Sequence, residues 1–210
     1  MTRLRLLAAV CLPILLSVCA RAQVFSAYVE SNNTRFNDVG TGIIYTPATG
    51  AYASQYTNFW ASGVGGGVTL NFLPVGPVRV GLDFRGSTRP GTVGADTGML
   101  GIRLGVKVPL IKIKPYIQAS GGYIATRTVN IGNVSGGSSL SSTIGGTYTN
   151  QYAGYEIFGG IDYPLIHFVD FRVIEVGGGT AYTVGGSTLS TYNIQSISLF
   201  SVNSGLVVHF

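Results

Sequence analysis

The sequence predicts an all-β chain: an eight-stranded antiparallel up-and-down transmembrane β-barrel behind a cleaved N-terminal signal peptide. Three observations predict it. The first is the closing stretch from Ile194 to Phe210. From Phe200 onward, Phe200, Val202, Leu206, Val208 and Phe210 share one parity, and Ser201, Asn203, Gly205, Val207 and His209 share the other. Side chains alternate across a strand, so this segment has one apolar and one polar face. The second is a regular alternation of short and long connections along the chain. The third is composition: charged residues make up 10% of the chain and Gly 31 of its 210 residues, against about 25% charge in soluble domains.

The chain begins with the pattern of an export signal. Arg3 and Arg5 precede an apolar run from Leu6 to Val18, and Ala20-Arg21-Ala22 gives a small-x-small cleavage site before Gln23. The apolar run is too short for a membrane-spanning helix, and Pro13 interrupts it. Lipidation at Cys19 is the weaker alternative, because Val18 is large for the position before a lipidated cysteine. The domain organisation is therefore 1–22 signal peptide and 23–210 barrel domain. Cleavage removes Cys11 and Cys19, which excludes disulfides, thiol catalysis and thiolate metal sites from the mature chain. It also removes Arg3, Arg5 and Arg21, so Lys+Arg falls from 13 to 10 against 8 Asp+Glu. No basic run remains, so nucleic acid is excluded as a partner.

Strand-like segments fall at about 24–34, 58–72, 77–86, 98–108, 114–126, 152–163, 168–180 and 194–210, and no mature segment carries a helix-period apolar stripe. The connections at 73–77, 109–113 and 164–167 are short and contain proline; those at 35–57, 87–97, 127–151 and 181–193 are long and rich in Gly, Ser, Thr, Asn and Tyr. Outer-membrane barrels combine short periplasmic turns with long extracellular loops in this way. An even strand count puts both termini on the periplasmic side.

Each strand repeats the two-faced pattern. Val78, Val80, Leu82 and Phe84 alternate with Arg79, Gly81, Asp83 and Arg85. Leu100, Ile102, Leu104, Val106 and Val108 alternate with Gly101, Arg103, Gly105 and Lys107. The polar parity carries both signs: Glu30, Asp83, Glu156, Asp162, Asp170 and Glu175 against Arg79, Arg85, Arg103, Lys107 and Arg172. A solvated face needs no such balance, whereas a narrow lumen does, because an unpaired buried charge is costly. On the apolar parity, Trp60, Tyr123 and Tyr155 fall near the loop end, and Phe25, Phe72, Tyr163, Phe171 and Phe210 near the opposite end. These are two expected aromatic girdles at headgroup level. In the seventh strand Glu175 is out of phase with Asp170 and Arg172; a β-bulge at Val173-Ile174 restores it, or else Glu175 sits at the rim and faces out.

Chemistry-bearing motifs are sparse. The histidines are His167 and His209; neither has metal-ligand spacing, and His209 falls on the inward parity. The triple-glycine runs Gly65-Gly66-Gly67 and Gly177-Gly178-Gly179 lie within strands, so they are not phosphate-binding loops. Inward Gly63, Gly65, Gly67, Gly81, Gly101 and Gly105 are expected to make room for long arginine side chains. The charge cluster reads as an interlocked polar core, since an eight-stranded interior is just wide enough for side chains to fill it. The alternative is an ion or solute path. Tyr45, Tyr52 and Tyr56 and the Ser/Gly/Thr tract at 135–149 are loop candidates for surface contacts.

With its Asp170-Phe171-Arg172 strand and terminal Leu206-Val207-Val208-His209-Phe210, the chain resembles small bacterial outer-membrane β-barrels of the OmpA/OmpX, porin-like type. The resemblance implies location in the cell outer membrane with both termini periplasmic. It implies outer-membrane lipid and lipopolysaccharide as surroundings, and recognition by the insertion machinery through the strand ending at Phe210. It implies no cofactor and no catalytic site. The function expected is structural or surface interaction through extracellular loops. A narrow non-specific pore is the alternative, and a lipid-modifying enzyme stands below it.

Overall fold

The computed structural model describes residues 25–46, 51–91, 93–107, 112–130, 146–186 and 196–210. The signal-peptide reading and the 135–145 portion of the Ser/Gly/Thr tract lie outside the described residues. Eight strands follow in chain order: β1 (Phe25–Thr46), β2 (Ala51–Val75), β3 (Val78–Arg89), β4 (Gly94–Val106), β5 (Lys114–Asn130), β6 (Gly146–Ile166), β7 (Val169–Gly186) and β8 (Ser196–His209). Each pairs antiparallel with its sequence neighbours, and β1 pairs with β8 to close the barrel. Closure leaves no edge strand along the wall.

The short turns lie where proline and glycine place them. Between β2 and β3 the chain reverses at Gly76-Pro77, and Gly76 takes φ +60°, a left-handed conformation that glycine adopts without a Cβ penalty. Between β6 and β7 only His167 and Phe168 intervene. The long connections are shorter than expected because pairing continues into them. The segment expected as a loop at 35–57 is mostly ladder: β1 and β2 stay paired to Thr46↔Ala51, with Tyr45 opposite Tyr52 and register shifts at Phe36/Val39 and Gly40/Gly42. β1 has already left β8 after Asn37, and β2 meets β3 only from Val64. A two-stranded ribbon therefore rises above the wall. It escaped the sequence reading because Thr, Gly and Ser interrupt its apolar alternation.

The two faces separate cleanly. Outward positions are apolar: Val64, Phe84, Leu100, Ile102, Ile117 and Ile157 are all at least 50% exposed. Inward positions hold Glu30, Asp83, Arg85, Glu156, Asp162, Asp170, Arg172 and Glu175, each 5% exposed or less. β7 contains the bulge at the expected place. Ile161 pairs Ile174 while Asp162 pairs Arg172, and on the other side Arg172 and Glu175 bracket a register shift. Val173 and Ile174 both face out, and Glu175 turns in, fully buried.

The bulge absorbs that extra residue and keeps the phase of everything after it in β7. Deleting Val173 alone is expected to leave Arg172, Ile174 and Glu175 in plain in-out-in alternation and to keep the refolded band on a heat-modifiability gel. Deleting both Val173 and Ile174 sets Glu175 next to Arg172, turns it and the following inward positions outward, and is expected to lose that band.

Candidate functional site

The interior is stacked in layers along the barrel axis. At the end carrying Phe25 and His209 (the terminal end) lies a cavity of about 130 Å³. Above it sits an ionic network, then a polar layer, and at the loop end an apolar plug.

The network is built around Arg85 and Arg172, which reach inward from β3 and β7. Arg85 grips Glu175 with both terminal nitrogens, Nη1 to Oε1 at 2.8 Å and Nη2 to Oε2 at 3.0 Å, and its Nε donates to Asp83 at 3.2 Å. Arg172 donates from Nη1 to Glu30 at 2.8 Å and from Nε to Asp162 at 3.2 Å. Arg103 donates to the other oxygen of Asp162 at 2.5 Å. Carboxylates outnumber guanidinium groups here, and neutral donors hold the excess. Tyr116 (2.6 Å) and Asn203 (2.9 Å) donate to Glu175; Thr69 (2.7 Å), Gln118 (2.7 Å) and Tyr28 (3.0 Å) donate to Asp83. Hydrogen bonds to charged groups are shorter and stronger than neutral ones, which is what a desolvated cluster needs.

Rings complete the packing. The Arg172 guanidinium lies 4.3 Å from the Tyr28 centroid and 5.2 Å from that of Tyr116, and Arg85 lies 4.0 Å from that of Phe158. Three inward glycines serve these rings: a Cβ at Gly67 would collide with Tyr28, at Gly160 with Tyr116 and at Gly177 with Phe158. The expectation that glycines make room for arginine is corrected accordingly: of those named, Gly67 leaves space for a ring on which guanidinium groups stack, Gly81 faces Asn71 and Gly101 faces Ser120.

Above the network, Arg89 and Glu156 are buried without pairing to each other. Arg89 donates through Nη2 to Asn32 and, at 2.8 Å, to Thr34, leaving Nε and Nη1 without partners; Glu156 accepts from Ser201 at 3.3 Å. Nearer the loop end, Phe36, Val39, Met99, Ile124, Tyr152, Ile197 and Leu199 close on one another and fill the lumen. The expectation of a lumen polar along its whole length is therefore corrected: inward side chains turn apolar near the loop end.

The expected charge cluster divides in three. Glu30, Asp83, Arg85, Arg103, Asp162, Arg172 and Glu175 form the network. Glu156 lies above it. Asp170, Arg79 and Lys107 belong to the terminal-end cavity, where Lys114 Nζ approaches Asp170 at 2.6 Å. Lys107 is exposed at the mouth, so its expected place inside the cluster is corrected; β4 ends at Val106. Sequence reading missed Arg89 and Lys114. Arg89 shares the parity of Arg79 and Arg85, so the signal was present and only the strand end was drawn short. Lys114 opens the inward series Lys114, Tyr116, Gln118 and Ser120 of β5.

His209 stands between Ser26 and Asp170, with Nδ1 2.9 Å from Ser26 Oγ and Nε2 2.7 Å from Asp170. The trio has the residue types of a nucleophile, base and orienting acid. Its carboxylate also accepts two bonds from Lys114 at 2.6 and 2.9 Å, so its charge is shared between the ammonium and the imidazole. Among the described residues no group of three His, Cys, Asp or Glu could hold a metal ion.

On the outside, the expected girdle residues stand at the two ends of the wall. Trp60, Tyr123 and Tyr155 are exposed toward the loop end; Phe72, Tyr163, Phe171 and Phe210 are exposed toward the terminal end, with Phe25 half-buried. Trp60 meets Phe200 edge-on at 6.2 Å, and Phe25 meets Phe210 at 5.6 Å.

No family model matches the chain, and no curated protein matches it. Among solved structures it is similar to Neisserial surface protein A, with 12% identity, 88% of this chain and 99% of that chain covered, and a TM-score of 0.44. It is also similar to the outer membrane protein OprG from Pseudomonas aeruginosa, at 13% identity, 88% and 96% coverage and a TM-score of 0.45. The outer membrane protein AlkL, solved in lipid bilayers, gives 9% identity, 89% and 90% coverage and a TM-score of 0.44. At such identities no residue's role transfers.

The energetics separate buried from exposed pairs. Glu175→Gln is expected to destabilise the barrel by about 3–5 kcal/mol, because it takes from the buried Arg85 guanidinium the carboxylate that meets both its terminal nitrogens. Arg127→Gln, which breaks the exposed Arg127–Asp96 pair on the outer wall, is expected to cost less than about 1 kcal/mol. Urea unfolding followed by fluorescence of Trp60, the single tryptophan, measures both.

Proposed function

We propose that the chain is an integral outer-membrane barrel with a sealed lumen, and that it works through the surface of its loop end. The observation that carries this is the inversion of polarity. Outward positions form an uncharged belt of mostly apolar residues, while the charges are inside. On the wall, outward charges first occur at Arg35, Asp96 and Arg127, all toward the loop end. From Val106 to Gly98 the outward face of β4 carries no charge. At about 3.3 Å per residue and a tilt near 40°, that stretch is roughly 20 Å tall, close to the apolar band of outer-membrane barrels. A monomer in water rarely exposes so large an apolar surface; lipid is its natural neighbour. The girdle aromatics bound the belt at headgroup level, and the strand ending at exposed Phe210 is the feature offered to the insertion machinery. The loop end then faces outward, toward lipopolysaccharide and surface ligands, and both termini face the periplasm.

Filled layers argue against conduction. A solute entering from the terminal end meets Tyr116 and the Arg85–Glu175 pair, and beyond them the plug of Phe36, Met99 and Leu199. An enzymatic role is the lowest reading: the Ser26–His209–Asp170 trio lies at the end away from the loops, with its acid tied to Lys114.

Two measurements test the proposal. The refolded mature chain in a planar bilayer is expected to show no reproducible conductance steps; steps that change when Arg103 or Glu156 is neutralised would replace the sealed reading with a pore. Leu104→Arg, in the middle of the belt, is expected to weaken folding into lipid vesicles by roughly 2–4 kcal/mol. Undiminished insertion would remove lipid as the neighbour of that face.

A further inference from the structure

The cavity at the terminal end has more positive charge than its partners use. Arg79, Arg103, Lys107 and Lys114 line it, against Asp162 and Asp170. Asp162 is held by Arg103, and Asp170 by Lys114. Arg79 and Lys107 make no ion pair among the described residues. Register places Arg79 opposite Gly105, and the Lys107 backbone N–H donates to the Pro77 carbonyl at 2.8 Å. The two unspent cations therefore come from adjacent strand ends around one mouth. Gly105 lies between them, and a Cβ added there would meet nothing within 4 Å, so no side chain fills the space at that point. Ser26, whose hydroxyl lies 2.9 Å from His209 Nδ1, lines the same space.

We infer that this mouth is a binding site for a small solute with a doubly charged oxyanion head, of the phosphate or phosphomonoester class. A guanidinium presents a planar fork that matches an oxyanion through two N–H groups, and an ammonium adds a compact point charge. Two uncompensated cations are neutralised by one dianion. A low-dielectric cleft of one sign focuses its field on entering counter-ions. The volume of about 130 Å³ corresponds to on the order of ten water-sized positions, room for a phosphate with a short organic stem. The site is blind, closed above by Tyr116 and Arg103, whose guanidinium lies 3.5 Å from the Tyr116 centroid. It holds a solute without passing it on. This inference does not depend on what the loop end does.

The test is calorimetric titration of inorganic phosphate into the chain refolded in an uncharged sugar detergent. Saturable one-to-one binding that weakens with salt is expected. The double variant Arg79→Gln/Lys107→Gln should lose at least tenfold in affinity with unchanged heat-modifiable migration, because neither residue takes part in the network. Lys112→Gln, which removes a base from the exposed turn at the same end, should bind like the parent chain. Non-saturating heats, equal affinity in the double variant, or equal loss in Lys112→Gln overturns the inference. Repeating the titration in nanodiscs containing phosphatidic acid, a lipid with a phosphomonoester head, identifies the source of the phosphate: unchanged affinity supports a free solute, and competitive loss supports a lipid headgroup in the same site.

Discussion

The barrel depends on the pairing of Arg85 with Glu175 and of Arg172 with Glu30 and Asp162. Removing these charges from water carries a penalty of several kcal/mol for each ion, and the penalty is offset only where every oxygen and nitrogen is met. Nearly all are. The requirement reaches outward from the network: Glu175 must point in, so β7 must bulge; Arg172 must lie flat, so Tyr28 and Tyr116 must flank it; the rings must fit, so Gly67 and Gly160 cannot carry side chains. The apolar belt follows from the same rule. With the polar groups gathered inside, only apolar residues and small ones are left for the outer wall.

Much of this was legible in the sequence because a strand has a period of two. Alternation in β3, β4 and β6 assigned the faces, and the even mixture of signs on one parity indicated a lumen rather than a solvated surface. The phase break between Arg172 and Glu175 left two readings, a bulge or a rim-facing Glu175, and the register and burial of Glu175 decide for the bulge. Other features have no such signature. The ribbon of β1 and β2 has Thr, Gly and Ser where an alternating apolar face would be, so backbone pairing had to reveal it. The apolar plug is hidden for the opposite reason: Phe36, Met99, Ile197 and Leu199 are apolar residues on the inward parity, which period-two reading treats as noise. The role of the glycines depends on which side chain leans across which strand, and that is set by three-dimensional register.

The two ends of the interior are chemically unlike. The loop end is shut by apolar side chains that gain from the absence of water, and the terminal end is wet and cationic. Between them the ionic network is a rigid partition, since each member is held by two or more others.

The partition also bears on the order in which the barrel assembles. Its bonds join residues far apart in the chain: Arg172 to Glu30 across 142 positions and Arg85 to Glu175 across 90. A chain lacking its last two strands has Glu30 without Arg172 and Arg85 without Glu175, and water must remain there to solvate them. Only when β7 arrives with Arg172 and Glu175, and β8 seals against β1, can that water leave. Dehydration of the lumen is thus a late event tied to completion of the wall, and a half-built sheet with the wrong strand at the seam keeps its interior hydrated. The ionic core works as a checkpoint on closure, because a dry interior is stable only in the complete circle.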